Sequence, residues 1–284
     1  MPARGPLLGP DTISARLLGH PALLLGGPRA LLLQVANPGV AAGVAQHSAF
    51  TEDPFGRLAR TLRSMEAIAF GSPERAAQAL RVIGARHRPV QGLTEAGSPY
   101  SAGDPDLVLW VHATLVDTAL AVDHRYIGLL SSRQREIFYQ ESKVLADAFR
   151  IPAELVPEDL AAFRCYMARS LAALQVGSDA RAIARSVLRP APPLPLGPLG
   201  PLLGMATAPW LEAVTADLLP RELRDAYGLQ RGAGFAPAAV GLELTALVSR
   251  ALAPRLPRPV VAPGTLGRIG GAVQTRFSPG RYAS

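Results

Sequence analysis

The sequence predicts an all-α protein, folded as a single globular domain of about ten helices. Hydrophobic residues make up 49% of its 284 residues but aromatic residues only 6%, so the core is built from Leu, Ala and Val, which suits helix packing better than sheets. No stretch alternates apolar and polar residues with a period of two. Helix-start signals, in contrast, recur along the chain.

Each of the first helices is predicted from a capping residue or glycine followed by proline, which is favoured at the first helical position. The pairs are Gly27-Pro28, Asn37-Pro38, Asp53-Pro54, Ser72-Pro73 and Asp104-Pro105. Gly71 ends the helix that begins at Pro54, Pro89 ends the next one, and Ser131 caps a helix after the one that begins at Pro105. Later helices are predicted at about 157–174, 178–188, 205–218, 220–228 and 236–252.

Two segments interrupt this helical pattern. Residues 92–103 (GLTEAGSPYSAG) are predicted to be a polar loop between two long helices. Residues 189–204 (RPAPPLPLGPLGPLLG) are rich in proline yet apolar, which predicts a strap across the domain or a lid over an apolar site. The alternative is a domain boundary at 189–204. Residues 231–284 are expected to add the last helix and a frayed tail.

Charge and cysteine content limit the class of protein. The net charge is +7, but Lys143 is the only lysine and the arginines are scattered among acidic residues, which predicts a solvated surface and no nucleic-acid partner. The single cysteine, Cys165, excludes an internal disulfide and a cysteine-based metal cluster. The apolar stretch 21–45 is interrupted by Gly, Pro, Arg and Asn, and the N-terminus lacks a continuous apolar region. We therefore expect no transmembrane segment and a cytoplasmic protein.

Polar side chains within the apolar helices are the candidates for chemistry, since the chain contains no HExxH, GxSxG, Walker A or GxGxxG motif and no paired Glu-x-x-His. On the helix 54–70, one face carries Arg57, Arg60, Thr61 and Ser64. This face either meets solvent or looks inward. Arg63 and Glu66 are better placed for solvent, which favours the inward orientation for Arg57 and Thr61.

Two histidines lie on helices with apolar surroundings. His112 belongs to a helix that is apolar nearly all round, where it is a hydrogen-bonded core residue, a ligand or a donor to a ligand. His87 follows Leu80, Ile83 and Gly84 at helical spacing, which predicts a buried position. Gly84 either makes room for a flat ligand or allows close helix packing.

The order and spacing of several segments resemble the haem oxygenase family that includes latex clearing protein (rubber oxygenase) and the fungal oxygenase MpaB. The segments are LLLQVANPGVAAGVAQHSAFTEDPFGRLARTLRSMEAIAFG, RHRPVQG, SPYSAGDPDLVLWVHATLVDTAL, FYQESKVLADAFRIP and ADLLPRELRDAYGL. The resemblance covers about residues 25–230 and is closer to the bacterial branch than to the rubber-cleaving enzymes. It implies an all-helical fold with a globin-like core that binds haem b.

The resemblance also implies roles for particular residues. His87, in RVIGARH, matches the proximal histidine that binds the haem iron, and His112, in WVHATL, is the second candidate for axial ligand. The Arg-x-x-Lys-Thr pattern of the rubber oxygenases corresponds to Arg57, Arg60 and Thr61 here. Arg60 replaces the lysine, and a guanidinium cannot ligate iron because it does not lose its proton.

By the same resemblance, the expected function is oxygenation or cleavage of a small apolar substrate, isoprenoid-like or lipid-like, with dioxygen at haem b. Arg57 and Thr61 are the expected catalytic donors, and Arg57, Arg60, His87 and His112 the expected cofactor-binding residues. Asn37 stands where a histidine is common in the bacterial branch. The alternatives are a non-enzymatic haem or lipid binding protein and a helical interaction module without a cofactor.

Overall fold

The computed structural model describes the backbone of residues 5–48, 54–189, 199–229 and 236–252, and the side chains of 5–48, 60–189, 208–229 and 241–251. Within these ranges the chain forms twelve α-helices, two short 3₁₀ helices, one π-helical turn and one two-stranded sheet. The all-α prediction is therefore confirmed.

The helices follow one another with short connections. They are α1 (Ile13–Leu18), α2 (Gly27–Val35), α3 (Pro38–His47), α4 (Pro54–Phe70), α5 (Pro73–His87), α6 (Pro105–Val122), α7 (Ser132–Ala148), α8 (Leu160–Ala173), α9 (Ser178–Leu188), α10 (Leu199–Leu218), α11 (Arg221–Ala226) and α12 (Ala236–Leu252). The 3₁₀ helices are Pro21–Gly26 and Ala153–Leu155, and the π-helical turn is Asp123–Ile127.

The caps confirm the predicted starts of α3, α5, α6 and α7, whereas Asp53, predicted before α4, lies outside the described residues. The Asn37 side chain accepts hydrogen bonds from the backbone N–H groups at positions 39 and 40, at 2.9 and 3.3 Å. Ser72 and Asp104 accept in the same way at the starts of α5 and α6. Ser131 and Gln134 form a reciprocal capping box at the start of α7. These bonds satisfy N–H groups that have no partner within their helix.

The structure differs from the sequence-based assignment in three places. The predicted loop 92–103 contains part of a small antiparallel hairpin of β1 (Gln91–Leu93) and β2 (Pro99–Ser101), with Gly92 opposite Tyr100. Helix α1 and the first 3₁₀ helix were not predicted. Helix α10 begins at Leu199, so the end of the proline-rich segment is helical, whereas residues 190–198 lie outside the described ranges.

Helix α6 lies at the centre of the main hydrophobic core. The 3₁₀ helix 21–26, α2, α7 and α10 all pack against it. One continuous cluster of buried side chains joins Trp110 and Ala113 of α6 to helices on both sides of the proline-rich segment, including Leu188 of α9 and Val214 of α10. The two halves of the described chain therefore share one core.

A buried arginine fixes α2 against α6 and α10. The Arg29 guanidinium, 4% exposed, pairs with the Asp117 carboxylate at 2.6 Å. It also donates to the Thr118 hydroxyl at 2.6 Å and to the Leu218 carbonyl at 2.8 Å. Because every nitrogen of a buried guanidinium needs an acceptor, these three contacts specify how the helices meet.

Helix α6 ends in the π-helical turn. The Asp123 carboxylate is completely buried and accepts hydrogen bonds from the N–H groups of Leu129 and Leu130, at 2.8 and 3.2 Å. Gly128 has a φ of +70°, a left-handed conformation that glycine adopts without strain. The turn therefore reverses the chain towards α7 with its buried polar groups satisfied.

Helices α4 and α5 form an antiparallel hairpin at the edge of this core. A small cluster holds the closed end of the hairpin: Ile68 and Ala69 of α4 pack with Leu8 and with Leu145 of α7. The Leu8 N–H also donates to the Ala69 carbonyl at 2.8 Å. The hairpin is thus anchored near residues 65–70.

One apolar stretch, Pro105–Ile127, is long enough to cross a membrane and has a mean hydropathy of 1.3. It comprises α6 and the π-helical turn, and 44% of its apolar window is buried inside the protein. A core helix passes the same test, so the expected lack of a transmembrane segment stays a prediction.

Candidate functional site

One face of α6 borders a cleft of about 3170 Å³. Val108, Val111, His112, Leu115 and Ala119 line it from α6, at positions that share one face of the helix. The other face of the helix is packed into the core. The volume exceeds the range typical of a drug-sized ligand site.

The α4–α5 hairpin provides a second wall of this cleft. From α4 the lining includes Arg60, Thr61 and Met65, and from α5 it includes Ile83 and His87. Helices α1, α2, α3 and α7, the 3₁₀ helix 21–26 and the β-hairpin contribute further lining residues. The walls are more apolar than polar, and arginine and histidine are prominent among their polar side chains.

Leu115 shows that the cleft reaches the middle of the core helix. Its side chain is 38% exposed, whereas Ala113 and Val116 beside it are 1% and 5% exposed. A large apolar side chain in this position is normally covered by another element. The cleft is therefore an apolar space within the fold, suited to a large apolar ligand.

His112 lies deep in the cleft wall, two turns into α6. Burial lowers the pKa of His112 to about 4, because removing water from around an imidazole disfavours its charged form. The ring is therefore neutral at physiological pH. A neutral imidazole has one nitrogen with a free lone pair, so His112 can accept a hydrogen bond or ligate a metal.

His87 lies at the end of α5 and its side chain is exposed, so the prediction that it is buried is wrong. The reason is that α5 packs mainly on α4, and Ala76 is its only buried side chain. The Nδ1 atom of His87 lies 2.9 Å from the Ile83 carbonyl oxygen. Because a carbonyl only accepts, Nδ1 carries the proton in this hydrogen bond, and Nε2 keeps its lone pair.

The predicted donor face of α4 is only partly described. Arg57 lies in α4, but its side chain is outside the described side chains. Arg60 is half-buried and Thr61 is exposed, and both line the cleft together with His87 and His112. Glu66 is 8% exposed and also lines the cleft, so its predicted solvent-facing position is wrong. The face of α4 that looks inward is therefore wider than the four-residue pattern indicated.

His20 was missed as a candidate from the sequence, where it reads as part of a loop. It caps the 3₁₀ helix 21–26, with Nδ1 accepting from the Ala22 N–H at 3.2 Å, and it is 4% exposed. Burial lowers the pKa of His20, and the nearby Asp123 carboxylate partly opposes this. The His-Pro pair before an apolar run was the available signal, since it matches a helix start.

The described residues contain no group of three or more His, Cys, Asp and Glu side chains that could hold a metal ion among themselves. A haem iron needs only axial ligands from the protein, because the porphyrin supplies the other four. The candidate metal-binding side chains in the cleft are thus single imidazoles.

Comparison with known proteins identifies the family. The family model "ER-bound oxygenase mpaB/B'/Rubber oxygenase, catalytic domain" matches residues 15–251. Two uncharacterized proteins, one from Mycobacterium bovis and one from Mycobacterium tuberculosis, are each 31% identical over 161 residues.

That alignment covers 55% of this chain and 63% of each mycobacterial protein, so the chain spans less than two thirds of the length of these relatives. No solved structure matches the chain. The match to the family model covers most of the sequence and contains most of α1, all of α2 to α11 and nearly all of α12. The chain belongs to the oxygenase family of MpaB and rubber oxygenase catalytic domains.

Proposed function

We propose that this protein is a haem b-dependent oxygenase that acts with dioxygen on a small apolar substrate of isoprenoid-like or lipid-like character. The observation that carries the proposal is the large apolar cleft with imidazoles in its lining, in a chain of an oxygenase family. Bound haem would supply the activation of dioxygen. The protein would bind and orient the substrate and exclude bulk water.

The lining of the cleft fits a haem in charge as well as in size. Haem carries two carboxylates beside a large apolar ring. Arginines outnumber acidic residues on the lining, where the acidic ones are Asp11 and Glu66. The arginines are Arg16, Arg60, Arg81, Arg86, Arg88, Arg150 and Arg250. Guanidinium groups pair well with carboxylates, so Arg60 is a candidate partner for one propionate.

We propose that His87 would ligate the iron of a bound haem, with His112 as the second candidate. The hydrogen bond from His87 Nδ1 to the Ile83 carbonyl orients the ring and leaves Nε2 available. Metal-ligating histidines commonly have such a bond on the other ring nitrogen. His112, neutral through burial, can fill the same role or accept a hydrogen bond inside the cleft.

Arg57 and Thr61 are proposed to act as hydrogen-bond donors at the reaction centre. The hydroxyl of Thr61 can donate a hydrogen bond towards the reaction centre from the lining of the cleft. Val111 and Leu115 would contact the apolar substrate and keep water away from it. We also propose that the protein works in the cytoplasm, as its single cysteine suggests.

The first test is an absorption spectrum of the purified protein after haem reconstitution. We expect a Soret band, and we expect His87→Ala to abolish or strongly shift it. His124→Ala is the matched control, because His124 is exposed and does not line the cleft. If only His112→Ala changes the band, His112 is the ligand instead, and absence of the band in the wild type would rule out haem binding.

A second candidate function is a haem or lipid carrier without enzymatic activity. The observation that favours it is Arg60, which stands in place of the lysine of the rubber oxygenases and cannot ligate iron. Oxygen consumption by the haem-loaded protein with an apolar polyene separates the two candidates. Consumption that depends on the polyene supports the oxygenase, whereas a Soret band without consumption supports the carrier.

A further inference from the structure

Two polar atoms near helix α1 are buried and have no hydrogen-bond partner among the described residues. They are the Ser14 hydroxyl oxygen and the His20 Nε2 atom. Ser14 is 1% exposed and His20 is 4% exposed, and both residues line the cleft. A buried polar atom without a partner is unfavourable, and in native proteins such atoms are usually completed by a ligand or a water molecule. The two atoms therefore indicate a place in the cleft where a polar group binds.

The hydrogen bond at the other ring nitrogen determines what His20 offers to a ligand. Nδ1 accepts from the Ala22 N–H at 3.2 Å, so Nδ1 carries no proton. Burial lowers the pKa of His20, with the Asp123 carboxylate partly opposing this shift, so the ring is neutral at physiological pH. The single proton of a neutral imidazole must then lie on Nε2. His20 is thus an N–H donor whose acceptor is not found within the described chain.

Ser14 provides a second donor close to His20. The two residues are six positions apart, across α1 and the turn that follows it, which places their backbones within about 10 Å of each other. The backbone N–H of Ser14 is already used, because it donates to the Glu141 carboxylate at 2.7 Å, whereas the hydroxyl is not. Leu18 and Gly19, which lie between them in sequence, also line the cleft. We call Ser14 and His20 the donor pair.

The charges beside the donor pair oppose an anionic ligand group. Asp123 is completely buried and acts electrostatically on the histidine, with the Arg135 guanidinium 3.5 Å from its carboxylate. Glu141 lies against the backbone of the serine. Arg16 is exposed and, two positions after the serine, does not share its face of α1. Because two carboxylates disfavour a third nearby, the ligand group at this place is expected to be neutral.

We propose that the donor pair binds the neutral carbonyl oxygen of an otherwise apolar, lipid-like ligand, with His20 Nε2 and the Ser14 hydroxyl as the donors. A carbonyl oxygen has two lone pairs and no proton, so it satisfies both donors and brings no donor that would need a partner. Leu18, Leu23 and Leu24 line the cleft nearby in sequence and suit the hydrocarbon part. The inference rests on the proposed function for the use of this cleft, and it narrows the substrate class to apolar ketones and esters.

The test compares three probes that differ at one end. They are geranylacetone, an isoprenoid methyl ketone; the hydrocarbon in which a methylene group replaces its carbonyl oxygen; and the acid in which a carboxylate replaces its acetyl group. Each probe displaces the neutral dye Nile red from the full-length protein, and dye fluorescence gives the dissociation constant. We expect the ketone to bind at least about fivefold more tightly than the hydrocarbon and than the acid.

Two variants each remove one donor. Ser14→Ala removes the hydroxyl, and His20→Asn removes Nε2 but keeps a side-chain acceptor for the Ala22 N–H. Each should weaken the binding of geranylacetone about fivefold and leave the binding of the hydrocarbon unchanged. Ser142→Ala is the matched control, because Ser142 is also buried and lines the cleft, but its hydroxyl already donates to the Tyr139 carbonyl at 2.6 Å. It should keep the preference for the ketone.

Thermal unfolding without ligand provides an independent measurement. Ser14→Ala should keep or raise the melting temperature, because it removes a buried hydroxyl that has no partner in the described chain. Ser142→Ala should lower the melting temperature, since it removes a hydroxyl that is hydrogen-bonded.

Three results would overturn the inference. The first is a wild-type protein that binds the ketone no more tightly than the hydrocarbon, and the second is tightest binding of the acid. The third is a Ser14→Ala variant that loses as much thermal stability as Ser142→Ala, because its hydroxyl would then be bonded without a ligand. The proposed function fails separately: ketone preference without a Soret band rejects haem binding alone, and a Soret band without ketone preference rejects the donor pair alone.

Discussion

His112 combines two properties that are rarely found in one side chain of a helical core. It lies in the helix at the centre of the fold, and it also borders the cleft. Because burial lowers its pKa to about 4, His112 stays neutral in the folded protein at pH values where a free imidazole becomes charged. In the unfolded chain His112 is a free imidazole and takes up the proton. Folding and proton binding at His112 are therefore coupled.

This coupling predicts how stability depends on pH. Between about pH 6.5 and pH 4 the unfolded state binds a proton that folded His112 does not, so the free energy of unfolding falls as the pH falls. His112→Gln should reduce this slope, by a total of at most about 3 kcal/mol. Urea denaturation of the haem-free protein at a series of pH values measures it. His124→Gln, at an exposed position, should leave the slope unchanged, and equal slopes for all three proteins would contradict the prediction.

At the scale of single residues, four of the side chains that the sequence singled out border the cleft, and the roles predicted for them stay predictions. Arg60, Thr61, His87 and His112 all line it. Burial of His87 was predicted wrongly because helical periodicity identifies an apolar face but not whether another element covers it. The last turn of α5 extends past its packing partners, and every residue from Gly84 to His87 is exposed.

At the scale of elements, the 3₁₀ helix 21–26 packs closely on α6. A Cβ atom added to Gly26 would lie 2.5 Å from the Thr118 Cγ2 atom and 2.9 Å from the Val122 Cγ2 atom. Both distances are shorter than atoms tolerate, so glycine at position 26 allows this element to lie directly on α6. A Cβ atom added to the neighbouring Gly27 would meet no atom within 4 Å.

The two neighbouring glycines provide a matched pair of variants. Gly26→Ala should destabilise the protein by about 1–3 kcal/mol, since the added methyl group forces the 3₁₀ helix away from α6. Gly27→Ala should keep or slightly raise the stability, because its helical backbone suits alanine and the unfolded chain loses freedom. Thermal unfolding followed by circular dichroism measures both, and equal melting temperatures for the two variants would contradict the close approach.

The boundaries of most elements follow from local signals. Proline at the first helical position and a side-chain cap before it mark the starts of α3, α5 and α6. The β-hairpin escaped prediction because strands of three residues are too short to show alternation. The buried contacts of Arg29 could not be predicted, because its partners lie far away in sequence, on α6 and α10.

Across the whole molecule, a polar network joins the C-terminal helices to the centre. The Asp217 carboxylate of α10 pairs with Arg125 at 2.6 Å and accepts from the Tyr126 hydroxyl at 3.1 Å. Arg125 also pairs with Glu243 of α12. Burial and the Asp217 carboxylate raise the pKa of Tyr126, so its hydroxyl keeps its proton and remains a donor. The network therefore holds α10 and α12 on the π-helical turn.

Removing the carboxylate should loosen α12 before it loosens the core. Asp217→Ala is expected to cost about 2 kcal/mol locally, which corresponds to roughly thirtyfold faster amide hydrogen exchange in α12, with α6 unchanged. Arg221→Ala is the control, since the pair Arg221–Asp225 is 82% and 65% exposed. Exchange that quickens equally in α6 and α12 would mean that they open together.

The fold class was predictable from the sequence, but the packing of the helices against one another was not. Composition and proline placement predicted the helical fold, and the order of segments predicted the family, whose model matches residues 15–251. No local signal showed that helices on both sides of residues 189–204 share one core, because the packing of α9 against α10 forms only when the chain folds.

The two faces of α6 should also differ in how well they tolerate substitutions. Trp110, Ala113 and Val122 point into packed core, where a change of volume is costly. Val111 and Leu115 border the cleft, where a smaller or larger side chain meets open space. Substitutions at the cleft-facing positions of α6 can therefore change ligand preference, in evolution or in a library. The core-facing residues of the same helix meanwhile preserve the fold.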